Sequence, residues 1–177
     1  MSGRRAVLLL LAGLPLALTG CGWHPLYADA GSGPTEAALR AIRVEPIADR
    51  IGQRLELKLR DAFNPTGVPA RQHYTLRTTL RVIRSDLGIQ SQGLATRGKL
   101  DVYATFSLVE LPSGHVLMTN TAHAADGFDI AGNQYANVVA EDDARTRLVD
   151  ELAPEIALRL SLFLQRRAAM PAAPRRG

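Results

Sequence analysis

The sequence contains little cysteine, with one residue of this type, Cys21, in a chain of 177. A single thiol cannot form an internal disulfide, and a zinc site built from several cysteines is excluded for the same reason. Aromatic residues make up only 5% of the chain, and its formal net charge is only +4. No cluster of Lys and Arg interleaves with aromatic residues, as an interface with nucleic acid requires. The composition therefore excludes a disulfide-stapled protein and favours no nucleic-acid partner.

The sequence also lacks the residue patterns that enzymes and metalloproteins use. It has no Gly-x-Ser-x-Gly nucleophile turn and no Walker-type phosphate loop. The adjacent acids Asp142 and Asp143 are better explained by the start of a helix, where the helix dipole favours negative charge. The four histidines do not have the spacing of metal ligands on a helix; they are His24, His73, His115 and His123. We therefore predict no catalytic residue, no metal and no cofactor, with a lipoprotein hydrolase as the enzymatic alternative.

The N-terminus has the three parts of a secretory signal. Arg4 and Arg5 supply positive charge, and Ala6 to Leu18 form an apolar run of 13 residues. This run is too short to cross a bilayer, which takes about 20 residues, but it suits the apolar part of a signal peptide. The following Leu18-Thr19-Gly20-Cys21 resembles a bacterial lipobox, in which the thiol receives diacylglycerol and a peptidase then cuts before the cysteine. We predict lipidation at Cys21; the alternative is an ordinary signal peptide followed by a chance cysteine.

Two long segments alternate between apolar and polar residues, as strands of a sheet with one covered face do. The covered face of the first is predicted to hold Tyr74, Leu76, Thr78, Leu80 and Val82. The covered face of the second is predicted to hold Leu100, Val102, Ala104, Phe106 and Leu108. A link from about 86 to 95 joins them as a hairpin, and a third strand of the meander is expected from about 115 to 125.

Shorter patterns predict the remaining elements. Residues 42–46 alternate as a strand, which Pro46 keeps short because it lacks an N–H. Asp49 is predicted to cap a helix that ends near Phe63. The buried face of this helix is predicted to hold Ile51, Leu55, Leu59, Ala62 and Phe63. Asn137 is predicted to cap a final helix, in which Pro154 introduces a kink or a break.

The predicted element order is β-α-β-β-β-α. Two amphipathic helices can cover one face of a four-stranded sheet and leave the other face open. We therefore predict an α+β fold, a two-layer sandwich with a four-stranded mixed sheet and two helices on one face. The predicted segments are a cleaved signal peptide over 1–20, a lipidated N-terminus and tether over 21–40, a single domain over 41–167 and a disordered basic tail over 168–177.

The open face of this sheet carries positive charge. Arg77 and Arg81 lie on the polar side of the first long strand, and Arg97 and Lys99 lie on the polar side of its neighbour. Guanidinium groups bind phosphates through paired hydrogen bonds, so these cations are candidates for binding an anionic lipid. The alternative is a solvated polar face whose cations only keep the sheet soluble.

Several motifs resemble the alphaproteobacterial form of the LptE family of lipopolysaccharide-assembly lipoproteins. Cys21-Gly22-Trp23-His24-Pro25-Leu26-Tyr27 is similar to the family's Cys-Gly-aromatic-x-Pro-Leu-Tyr start, although Trp23 stands where Phe is more usual. Three short motifs of the predicted hairpin are similar to the family's central hairpin: Ala95-Thr96-Arg97, Tyr103-Ala104 and Ser113-Gly114. The entry to the last helix is similar at Tyr135-Ala136 and Ala140-Glu141-Asp142-Asp143-Ala144-Arg145. The resemblance covers most of the mature chain but not the tail after Arg167.

The resemblance implies a function that composition does not show. Members of the family lie largely inside the lumen of the LptD β-barrel in the outer membrane, assist its assembly and are linked to lipopolysaccharide binding. It implies a lipid-anchored protein that faces the periplasm and the barrel lumen. Gly22 is consistent with an outer-membrane location, because aspartate at this position retains lipoproteins in the inner membrane of enteric bacteria. The alternative hypothesis is a periplasmic regulatory lipoprotein that contacts a cell-wall synthase or a secretion complex.

Overall fold

A computed structural model describes residues 33–65, 67, 71–89 and 95–170 of the chain. The elements are α1 (Pro34–Arg40), β1 (Ile42–Val44), α2 (Asp49–Phe63), β2 (Tyr74–Ile89), β3 (Ala95–Glu110), β4 (Val116–Asp129) and α3 (Gln134–Ala169). The α+β fold with a four-stranded mixed sheet is confirmed. The predicted order omitted one helix, since α1 precedes β1. Within the described residues, no helix is both long enough and apolar enough to cross a membrane.

The strands follow one another across the sheet in the order β1-β2-β3-β4. Strand β1 is parallel to β2, and the other two pairs are antiparallel. Pairing between β2 and β3 continues from Tyr74 opposite Glu110 to Ile89 opposite Ala95. Residues 86–89 and Ala95 of the predicted link from 86 to 95 are therefore strand, and β4 likewise continues past 125 to Asp129. Backbone pairing with a neighbour extends these strands beyond the segments whose side chains alternate clearly.

The core lies between the helices and one face of the sheet. The predicted covered face of β3 is confirmed, because Leu100, Val102, Ala104, Phe106 and Leu108 are fully buried. Helix α3 contributes Leu148, Leu152, Ile156 and Leu160 to the same cluster. On β2 the cover decreases along the strand: Leu76 is fully buried, whereas Val82 on the same face is 40% exposed. Helix α2 packs beside β1, and helix α3 packs on β3 and β4, so the later part of β2 has less cover.

Helix α2 differs from its prediction at both ends. Its N-cap is Ala48, which makes no side-chain cap hydrogen bond, and Asp49 is the first helical residue. Asp49 has φ +67°, a left-handed backbone that aspartate tolerates but that differs from the extended backbone of an N-cap. Ala62 is exposed and not buried, because it lies about 60° around the helix from Leu59, toward solvent.

Helix α3 starts earlier than predicted and is not broken. Asn133 is its N-cap, with a side chain that accepts a hydrogen bond from the Tyr135 N–H. The side chain of Asn137 instead binds the backbone of Ala131. The helix continues through Pro154 to Ala169, because Pro154 lies on the exposed side while the apolar stripe on either side of it packs on the sheet. Ala168 and Ala169, predicted to be tail, are therefore helical.

Helix α1 lies within the stretch predicted to be a tether. Gly33 precedes it and Pro34 occupies its first turn, a position where the missing N–H of proline costs nothing. Ala38 and Leu39 pack against the core. The folded part of the chain therefore includes residues from Pro34 onward. The predicted signal peptide, Cys21 and the last residues of the basic tail lie outside the described residues.

Candidate functional site

The face of the sheet opposite the helices holds all four predicted cations. Arg77 and Arg81 lie on β2 opposite Ser107 and Tyr103 of β3. Arg97 and Lys99 lie on β3 opposite Leu87 and Ser85 of β2. Ten residues of β2 separate Arg77 from the position opposite Arg97, roughly 33 Å at the rise of a strand. The structure therefore places the four side chains along a strip and does not gather them into one pocket.

Two of the four cations already have a carboxylate partner. Arg77 Nε lies 3.2 Å from Glu45 Oε1, and Lys99 Nζ lies 2.9 Å from Asp101 Oδ1. The hydrogen bond from Lys99 is the main cause that lowers the pKa of Asp101, while partial desolvation opposes it. Within the described residues, no carboxylate lies at ion-pair distance from Arg81 or Arg97. These two arginines are therefore the cations of the strip that are most available to an external phosphate.

The centre of the open face contains side chains that the sequence did not single out. Tyr103 and His123 stack with ring centroids 4.4 Å apart, and His123 Nε2 lies 3.1 Å from Asp101 Oδ1. The alternation of β3 already placed Tyr103 on this face. The partnership with His123 depends on the register between β3 and β4, which no local signal in the sequence determines.

A row of threonines crosses the sheet beside this stack. Thr79, Thr105 and Thr121 lie opposite one another on three successive strands. The hydroxyl oxygens of Thr105 and Thr121 are 3.1 Å apart, at hydrogen-bond distance. Hydroxyl groups both donate and accept hydrogen bonds, so this row can meet many polar partners. The face is therefore suited to a broad polar contact.

A metal site on the open face would use its acidic and imidazole groups. Within the described residues, no three His, Cys, Asp or Glu side chains converge on a metal position. The imidazole of His123 has an acidic partner in Asp101, and the Tyr103 ring stacks on its face. The fold is a small α+β sandwich, and its open sheet face is extended and polar.

Comparisons with known proteins identify the family. Residues 39–160 match the family model LptE, described as lipopolysaccharide-assembly. This match includes every strand and most of α3, and the chain therefore belongs to the LptE family. Its function lies in lipopolysaccharide assembly. A search of curated protein sequences gave no match.

Two solved structures resemble this chain. The first is a lipoprotein from Caulobacter crescentus CB15, with a TM-score of 0.60 and 25% identity, covering 79% of this chain and 100% of that one. The second is a minor lipoprotein from Acinetobacter baumannii, with a TM-score of 0.52 and 21% identity, covering 68% of this chain and 91% of that one. The second supports the fold alone. The family and the first neighbour together indicate an envelope lipoprotein.

Proposed function

We propose that this protein is an outer-membrane lipoprotein that assists the assembly of an LptD-type β-barrel and plugs its lumen during lipopolysaccharide export. The observation that carries the proposal is the family match over 39–160, which spans the complete sheet and its open face. The lipobox-like segment that ends at Cys21 supports a lipid anchor. A bacterial lipid anchor would hold the domain at the membrane that contains the barrel.

The shape of the open face supports a plug. A plug needs many contacts of modest strength spread over a large area, and charged and hydroxyl side chains cover this sheet face from Arg77 to the Tyr103–His123 stack. Such a surface also fits a protein that acts by binding and not by catalysis. Because the contacts are distributed, single alanine substitutions here should reduce function gradually.

Direct binding of lipopolysaccharide is the second part of the proposal. Its phosphates would be recognised by the strip of four cations, with Arg81 and Arg97 as the principal contacts. Charge-assisted hydrogen bonds from arginine to phosphate are stronger than bonds between neutral groups. Arg77 and Lys99 contribute less, since each must share its charge with Glu45 or Asp101.

Depletion of the protein tests the main proposal. The expected result is a joint loss of assembled LptD-type barrel and of lipopolysaccharide at the cell surface, measured in the same cells. The protein purified from outer membrane with its native lipid anchor should retain the barrel, identified by mass spectrometry. Normal barrel assembly after depletion would contradict the proposal and favour a regulatory lipoprotein that contacts a cell-wall synthase or a secretion complex.

A further inference from the structure

The outer edge of β2 is paired over only its first few residues. Strand β1 covers it from Tyr74 to Leu76, and the last bond runs from the Glu45 N–H to the Leu76 oxygen at 3.0 Å. Pro46 follows and has no N–H to continue the ladder. Strand β2 itself continues to Ile89. Most of its length is therefore an edge without a neighbouring strand among the described residues.

The free edge presents a regular row of backbone groups. In a strand, the N–H and C=O of one residue point to the same side, and successive residues alternate between sides. The groups that point the same way as those of Leu76 belong to Thr78, Leu80, Val82, Arg84 and Asp86. Within the described part of the chain, none of these groups has a hydrogen-bond partner on that side. Such a row is a template for the addition of another strand.

The opposite edge of the sheet, on β4, is protected by side chains. Arg159 Nη1 donates to the Thr121 oxygen at 2.7 Å, and the Thr121 N–H donates to Asn120 Oδ1 at 2.8 Å. The Gly127 N–H donates to Asp126 Oδ1 at 2.8 Å. Proteins block exposed edges in this way to prevent unwanted strand pairing. Between Thr78 and Asp86 of β2, the described residues provide no comparable blocking group.

The packing beside the free edge also indicates a missing partner. The cover of β2 decreases beyond its pairing with β1, since Val82 is 40% exposed on the side where Leu76 is fully buried. Thr78, immediately beyond the last β1 pairing, is only 8% exposed. Its hydroxyl oxygen has no hydrogen-bond partner among the described residues. Buried hydroxyl groups are normally bonded, so Thr78 is a polar position whose partner the described residues do not supply.

The charge along the edge identifies the kind of partner. This part of β2 carries three arginines and one acid, Asp86. Arg77 pairs with Glu45, and Arg84 pairs with Asp86 and Glu141, so Arg81 is the arginine with no carboxylate at ion-pair distance among the described residues. A second copy pairing here would bring like charges together, which destabilises strand pairs. We propose that an extended segment of the barrel protein, carrying acidic side chains, adds to the free edge of β2 in line with β1. This inference rests on the proposed function, because the partner is the barrel.

Removal of one outward N–H tests the proposal. Val82→Pro deletes an N–H that the β2–β3 ladder does not use, and proline is tolerated on edge strands. Val82→Ala is the control for the lost side chain, and Ala125→Pro is the control for proline on the β4 edge. The measurement is the amount of barrel retained by the lipid-anchored protein purified from outer membrane. Val82→Pro should retain about tenfold less barrel, the size of effect that a disrupted hydrogen bond and its neighbours produce, while both controls retain the wild-type amount.

The outcomes separate this inference from the proposed function. Wild-type retention by a folded Val82→Pro variant, or an equal loss in Ala125→Pro, overturns the edge proposal alone. A wild-type protein that retains no barrel overturns both. If Val82→Pro has a lower unfolding temperature than its controls, a second experiment is used in its place. In that experiment the cross-linking residue benzoylphenylalanine is incorporated at Arg81. An adduct with an acidic segment of the barrel supports the proposal, and an adduct with a second copy, or none, overturns it.

Discussion

Arg54 and Asp142 link the two long helices, since Arg54 Nη2 donates to Asp142 Oδ2 at 2.8 Å although 88 residues separate them in the sequence. A second pair, Lys58 Nζ and Asp150 Oδ1, lies 2.7 Å apart further along both helices. Packing between the apolar faces of two helices does not by itself fix their relative position along the helix axes. These two ion pairs therefore help to fix the position of α2 relative to α3.

The Arg54–Asp142 pair should make the stability of the protein depend on pH. The hydrogen bond from Arg54 lowers the pKa of Asp142 in the folded state, with desolvation acting against it. Because the pKa of Asp142 is lower in the folded state, its ionised form stabilises the fold at pH values above the unfolded pKa of about 3.9. This contribution to the free energy of unfolding is lost as the pH falls through the folded pKa. A double-mutant cycle with Arg54→Met and Asp142→Asn should give a coupling of about 0.2–1 kcal/mol at neutral pH. The coupling should weaken as the pH falls through the folded pKa of Asp142, and a coupling that is unchanged in acid would refute the assignment.

Phe106 should contribute strongly to stability. Its side chain is fully buried between the sheet and the helices, so Phe106→Ala removes contacts and leaves a cavity that costs roughly 3–5 kcal/mol. Thr105→Ala, one residue away on the open face, should have a much smaller effect. Urea unfolding of both variants measures the difference, and the reverse order would mean that the faces of β3 are exchanged.

Gly98 should not accept a larger residue while Phe128 is present. The two residues lie opposite each other on β3 and β4, and a Cβ at Gly98 would overlap the Phe128 ring. Gly98→Ala should therefore destabilise the fold by about 1–3 kcal/mol, the usual effect of overpacking. The double variant Gly98→Ala with Phe128→Leu should recover part of this loss in thermal unfolding. Gly127→Ala is the control, since its Cβ would meet the flexible Arg97 side chain and would lie at ordinary contact distance, 3.6 Å, from the Gly98 backbone oxygen; an equal loss there would contradict the explanation.

Cys21 should carry the lipid anchor. Each buried acyl CH₂ contributes about 0.8 kcal/mol to membrane binding, so two or three chains anchor a protein stably. Metabolic labelling with a fatty acid should mark the wild-type protein, and Cys21→Ser should remain unlabelled and appear in the soluble fraction. Equal labelling of the two proteins would show that the lipobox-like segment has another role.

The four open-face cations should give lipopolysaccharide binding a dependence on salt. Charges at an exposed surface are screened as the ionic strength rises, so the affinity of the domain should fall at high salt. Replacing Arg77, Arg81, Arg97 and Lys99 by Ser should weaken binding while the unfolding temperature stays near the wild-type value. Replacing only Arg81 and Arg97 should account for most of that loss, because the other two have carboxylate partners. Equal affinities of all variants at two salt concentrations would eliminate the strip as a ligand site.

Much of the fold could be predicted from local patterns. A period of two along β3 is enough to assign Phe106 to the core and Tyr103 to the open face, because side chains of a strand alternate strictly. The ends of the helices were harder to predict. Asn133 and Asn137 are both good capping residues. The bond from the Tyr135 N–H to Asn133 and the bonds between Asn137 and Ala131 show that the helix starts at the earlier one.

The candidate site depended much more on tertiary structure. The sequence placed Arg77 and Arg97 on one face of the sheet. It did not show that most of the length of the sheet separates them. The partnership of Arg77 with Glu45, the stack of Tyr103 with His123 and the early end of the β1 pairing all join residues that are distant in the sequence.

The sequence by itself determined the predicted export signal, the period of each strand and the side of the sheet that each residue occupies, since these follow from neighbours a few positions away. Tertiary structure alone decided the register between strands, the limited cover of the later part of β2 and the unpaired edge from Thr78 to Asp86. The physical reason is that strand pairing and helix packing depend on the fit between distant segments, which local composition does not specify.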